Sequence, residues 1–163
     1  MQTENKMGVA LDIDLRSPFW SAMQDQQSWT VFFTHILSTM KTCISFSCDD
    51  PTISISLVDD HTMQSLNKQY RHKDKPTNVL AFPAEDSFIK KICLGDIVLS
   101  FETIQNEALE QNKPFMDHIA HMFVHGVLHL LGFDHIEDED RRMMESKEIE
   151  ILEHLGVHNP YVS

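Results

Sequence analysis

Apolar and polar positions alternate from Gly8 to Leu15 (GVALDIDL) and again, strictly, from Thr52 to Val58 (TISISLV). This two-residue period predicts two half-buried strands. Between them, Ser28 to Lys41 places Trp29, Phe32, Phe33, Ile36, Leu37 and Met40 at helical spacing. That predicts an amphipathic helix whose aromatic stripe packs into a core. Asp60 is the expected N-cap of a helix reaching about Tyr70. Asn78 to Phe82 and Ile92 to Leu99 read as two more strands. Ser100 is the expected cap of a helix from Phe101 to about Gln111, with Glu102 and Glu107 toward its start. Pro114 suits the first turn of a helix that runs to Leu131 and stops at Gly132. A last helix spans about Glu137 to Leu155 and ends at Gly156. The order predicts one α+β domain over residues 1–163, with a sheet of about four strands packed with about five helices.

Composition leaves that picture standing. A length of 163 residues, 42% hydrophobic and 23% charged, suits one ordinary globular core. The longest apolar candidate, Phe123 to Phe133, is interrupted by His125 and His129 and is too short to span a bilayer. Met1 to Asp14 has no basic segment followed by an apolar one, so no secretory signal is expected. Cys43, Cys48 and Cys93 form no CxxC pair. Reduced thiols in a cytoplasmic protein are expected in place of a disulfide, and a zinc site on Cys43 and Cys48 lacks a second pair to complete it.

Charge narrows the partners. The net charge of −12 speaks against general affinity for nucleic acid, so no DNA is expected. The distribution is uneven. Lys68 to Lys91 holds six Lys/Arg against three Asp/Glu, whereas residues 134–163 hold nine acids against three bases. One positive segment therefore sits on an acidic background.

Five of the ten histidines fall between His118 and His135. In His125-Gly-Val-Leu-His129-Leu-Leu-Gly132-Phe-Asp-His135, residues 125 and 129 share one helix face. Gly132 can take a left-handed conformation, end the helix and turn the chain back, so that His135 meets the other two. Three neutral imidazoles then occupy three corners of a tetrahedron and leave the fourth open, the pattern of a catalytic zinc. Packed helical histidines are the plain alternative, and imidazoles also suit nickel and copper. His121, one turn before His125, is expected beside the site more as a partner of the ligands than as a ligand. The spacing equals that of the metzincin proteases, but their general-base glutamate is replaced here by Gly126. A protease of that mechanism is therefore not expected. The metal can still acidify a water and polarise a substrate oxygen.

A second signal is the run from Leu66 to Pro83 (LNKQYRHKDKPTNVLAFP). Its Lys68, Arg71, Lys73 and Lys75 are expected on a loop between helix and strand. There an arginine can grip a phosphate with two hydrogen bonds and lysines can bind substrate, although a solvated turn would look the same.

Together with LGDIVL (Leu94 to Leu99) and HMFVHGVLHLLGFDHIEDED (His121 to Asp140), this run makes the chain resemble the YbeY family of bacterial endoribonucleases and rRNA maturation factors, from about Ile53 to Tyr161. The resemblance implies a single-domain, metal-dependent hydrolase of ribosomal RNA, active at the 3′ end of 16S rRNA and in ribosome quality control. It places one Zn2+ per chain on His125, His129 and His135, and puts the family's functional arginine at Arg71. Glycine at position 126 is then a family feature. The implied partners are ribosomal RNA and the small ribosomal subunit. A ribosome-assembly or binding factor with a mainly structural metal is the competing expectation, since no general base is evident and the chain is acidic.

Overall fold

The computed structural model describes residues 10–46, 51–84 and 93–162. Four strands, β1 (Ala10–Leu15), β2 (Thr52–Val58), β3 (Val79–Pro83) and β4 (Cys93–Ser100), form one sheet in the order β1-β2-β4-β3. β1, β2 and β4 run parallel, and β3 lies antiparallel on the edge beside β4. The described residues also form α1 (Pro18–Met23), α2 (Gln26–Cys43), α3 (Asp60–Arg71), α4 (Phe101–Glu110), α5 (Phe115–Leu130) and α6 (Asp138–His154).

The alternating patterns set the two faces of the sheet. Register aligns Ile13, Ile55 and Ile97 in one row and Leu15, Leu57 and Leu99 in the next. These rows join a core with α2, α5 and α6, centred on Trp29, Phe33, Phe123 and Val127. Val58, Leu80 and Val98 form a second cluster with Met63 of α3. Buried indoles keep their partners: Trp20 Nε1 donates to the Val58 carbonyl at 2.9 Å and Trp29 Nε1 to that of Trp20 at 3.0 Å.

α1 is an element that hydrophobic periodicity does not announce, because six residues give less than two turns. Its signal is a Ser-Pro start: Ser17 accepts from Phe19 N, and Pro18 occupies the first turn. Caps also differ from expectation. The N-cap of α3 is Asp59, whose side chain accepts from Thr62 N at 2.9 Å. Asp60 instead reaches the start of α4, accepting from the Ser100 hydroxyl at 2.6 Å and from Thr103 N at 3.2 Å. Ser100 stands at the N-cap position of α4 but makes no side-chain cap bond there. Its expected role as an acceptor passes to a carboxylate from another helix. The expected strand start at Gly8 and Val9, and that at Ile92, lie outside the described residues. Cys43 is a free thiol. No helix among the described residues is long and apolar enough to cross a membrane.

α5 carries the site. Eleven of its sixteen residues are buried, as befits a helix enclosed by α2, α4, α6 and the sheet. Gly126 lets it lie close to the sheet, since a Cβ there would stand 3.3 Å from both Ile97 Cδ1 and Val79 Cγ2. The position that holds a glutamate in metzincins is here a glycine on the cleft wall, with no side chain to act as base.

Candidate metal centre

His125 and His129 project side by side from the last turns of α5, with ring centroids 4.6 Å apart. The helix then ends in a Schellman arrangement: Gly132 N donates to His129 O at 3.1 Å and Phe133 N to Leu128 O at 3.0 Å. Gly132 has φ +99°, the positive value that this turn requires. The reversal brings the His135 ring to 5.8 Å from His125 and 5.2 Å from His129. One ligand atom from each of the three histidines lies within 4.8 Å of the others, so the cluster can hold a metal ion.

The donor geometry fits such an ion. His125 Nε2 and His129 Nε2 face each other at 3.1 Å. Two ring lone pairs cannot share that line without a proton or a cation to hold them. At zinc–nitrogen distances of about 2.0–2.1 Å, tetrahedral corners stand about 3.3–3.4 Å apart. Burial holds the His129 pKa below the ordinary 6.5, helped by the neighbouring His125 and His135. That shift favours the neutral imidazole that ligation requires.

His121 is not among the three clustered histidines and lies beside them. Its Nε2 is 3.0 Å from Glu148 Oε2, while His125 Nδ1 is 2.5 Å from Glu148 Oε1. The Tyr161 hydroxyl donates to Glu148 Oε2 as well. Burial alone would raise the Glu148 pKa, but the bonds from His121, His125 and Tyr161 outweigh it and hold the group at about 2. Burial and the adjacent carboxylate push the Tyr161 phenol far up, so it stays a donor. Sequence reasoning missed both residues. The available signal was a glutamate on the apolar stripe of α6, in line with Met144, Ile151 and Leu152.

The basic segment meets the histidines across an open cleft of about 670 Å³. Arg71, Lys73 and Lys75 line one part of it, and His125, His129 and His135 another. Lys68 and Arg71 are not on a loop, as their sequence context suggests, but both lie in the last turn of α3, which Arg71 closes. His72 follows with φ 59° and turns the chain, leaving Lys73 and Lys75 beyond the helix. The Arg71 guanidinium lies over the Phe82 ring at 5.1 Å and donates from Nη2 to the Ala81 carbonyl at 3.1 Å. Lys68 is not among the cleft-lining residues and stands 3.8 Å from Asp74 on the surface. Asn67, Thr77 and Asn78, not singled out in the sequence, complete the polar wall.

Comparisons with known proteins bear on this arrangement. The profile described as Endoribonuclease YbeY matches residues 19–156. The chain belongs to the YbeY family. Among curated YbeY proteins, one named Endoribonuclease YbeY from Colwellia psychrerythraea (strain 34H / ATCC BAA-681) is 53% identical over 114 residues, covering 69% of this chain and 74% of that protein. Another of the same name, from Sinorhizobium fredii (strain NBRC 101917 / NGR234), is 44% identical over 119 residues, covering 71% and 69%. The solution structure of TM1509 from Thermotoga maritima superimposes with a TM-score of 0.57 at 23% identity, covering 94% of this chain and 96% of that one, a likeness of fold. The YbeY match spans the cleft-lining basic residues and all three histidines.

The turn makes a prediction of its own. Nothing lies within 4 Å of a Cβ added at Gly132, so only its backbone conformation resists substitution. Gly132→Val, with φ +99° imposed on a β-branched residue, should cost about 1–3 kcal/mol of stability and move His135 away from its partners. Chelator competition should then show weaker metal binding with every ligand still present. An unchanged affinity would contradict this role for the turn.

Proposed function

We propose that this chain is a single metal-dependent hydrolase domain that cuts single-stranded RNA. Its substrate is ribosomal RNA at the 3′ end of 16S rRNA, and its work is rRNA maturation and ribosome quality control in the cytoplasm, beside the small ribosomal subunit. One observation carries the reading: the three-histidine cluster and Arg71, Lys73 and Lys75 line the same cleft. Membership in a family named for endoribonuclease activity supplies the reaction class.

His125, His129 and His135 would hold one zinc per chain and leave a coordination position open. Bound there, the metal would supply Lewis acidity toward a water molecule or a phosphoryl oxygen. The remaining work falls to the protein. Arg71 has five N–H donors, of which one goes to Ala81, and its plane is steadied by Phe82. The other donors can grip the phosphate under attack, where charge redistributes in the transition state. Lys73 and Lys75 hold the strand through its neighbouring phosphates. Among the described residues that line the cleft, Asp134 is the one carboxylate, and it accepts from Ile136 N at 3.3 Å. The nucleophile is either the RNA 2′-hydroxyl or a water.

The net charge of −12 favours a second reading, a ribosome-assembly factor whose metal is mainly structural. A single-stranded RNA spanning the 16S 3′ boundary separates the two. The enzyme reading expects purified protein to cut it, a chelator to stop the cut and zinc to restore it. An intact RNA after prolonged incubation with zinc-loaded protein would sink the enzyme reading in favour of the factor.

A further inference from the structure

Glu148 stands at a core position of α6, on the stripe formed with Met144, Ile151 and Leu152, and is fully buried. A carboxylate is costly in such a place unless its oxygens are well supplied with donors. Three donors reach it: His125 Nδ1 on Oε1, and His121 Nε2 and the Tyr161 hydroxyl on Oε2. His121 and His125 come from α5, and Tyr161 comes from the segment after α6. The carboxylate is thus fixed from two sides and cannot swing away from His125.

We infer that Glu148 is a positioning residue of the metal centre, which binds the Nδ1–H of His125 and so keeps Nε2 of that ring unprotonated and aimed at the point shared with His129 and His135. An imidazole free to exchange tautomers spends part of its time with the proton on the nitrogen needed for ligation. A fixed acceptor at Nδ1 removes that option and locks the ring's rotation. The 3.1 Å separation of the two Nε2 atoms is the outcome, with His125 turned so that its second nitrogen meets His129. A tie that merely joined α5 to α6 would need neither the ring nitrogen opposite the ligand atom nor an anionic acceptor. The inference rests on the reading of the three histidines as a metal site.

Two measurements on wild type, Glu148→Met and Glu148→Gln test it. Zinc affinity is read by competition with a chromophoric chelator, and the His125 tautomer is read in the metal-free protein by long-range 1H–15N NMR. Glu148→Met keeps an unbranched side chain of similar length and removes the acceptor. Its zinc affinity should fall about 10–100-fold, with the His125 proton no longer confined to Nδ1. Glu148→Gln keeps a neutral acceptor oxygen and should fall between the two. A folded Glu148→Met protein with wild-type affinity and the proton still on Nδ1 would overturn the inference. Should Glu148→Met fail to fold, wild-type affinity in Glu148→Gln overturns it equally. Wild type that takes up no zinc ends the metal reading itself, and this inference with it, whereas lost affinity only in the variants supports both.

Discussion

Arg71→Ala should slow single-turnover cleavage of the RNA about a hundredfold while leaving metal content unchanged. Arg71 lines the cleft that also holds the histidines, and its guanidinium is laid against Phe82 and anchored to Ala81. On the proposed reading, a donor so prepared would act where phosphoryl charge develops, and contacts of that type are worth roughly 3 kcal/mol. Arg71→Lys should recover only part of the rate, because an ammonium keeps the charge and loses both the planar fork and the stacking. An arginine that serves only to end α3 predicts nearly equal rates. Wild type and both variants, each confirmed folded and metal-loaded, decide the matter in one single-turnover experiment. Equal rates in all three would remove Arg71 from the mechanism.

The second large effect concerns the ligands. His129→Ala removes the imidazole that faces His125 across 3.1 Å and leaves only two of the three donors. Loss of an outer partner of a metal ligand typically costs 10–100-fold in affinity, so loss of a ligand should cost at least about a hundredfold. His125→Ala and His135→Ala should behave alike, with cleavage falling to background in all three. The fold should survive in His129→Ala and His135→Ala, since the core around Phe33, Phe123 and Val127 does not depend on those rings, whereas His125→Ala also takes the donor from Oε1 of the buried Glu148 and should lose stability as well. Elemental analysis of the purified variants checks this, and full metal retention in all three would refute the site.

The histidine motif was legible in the sequence because its parts are local. A four-residue spacing puts two rings on one face, and a glycine at the turn returns the third, as φ +99° at Gly132 bears out. The strands were legible for a similar reason, because TISISLV states its own period. Other features depend on distant segments and left weaker marks. Glu148 reads as one more acid in an acidic helix until its place on the apolar stripe is noticed. Its partners, 23 and 27 residues away, cannot be read from α6 alone. Asp60 reads as a cap for its own helix, yet it closes the start of α4 from 43 residues away. The sequence offers Arg71 as a loop arginine able to grip a phosphate and, by resemblance, as the family's functional arginine. That it shares a cleft with the histidines follows from α5 packing against β3, which Gly126 permits.

The most direct test of a catalytic three-histidine centre is a zinc titration of metal-stripped protein, followed by the initial rate of RNA cleavage at each addition. A catalytic centre of this kind gives no cleavage at the start and a linear rise that breaks at about one zinc per chain. Full activity before any metal is added, or zinc uptake to one equivalent with no cleavage at any point, would contradict it.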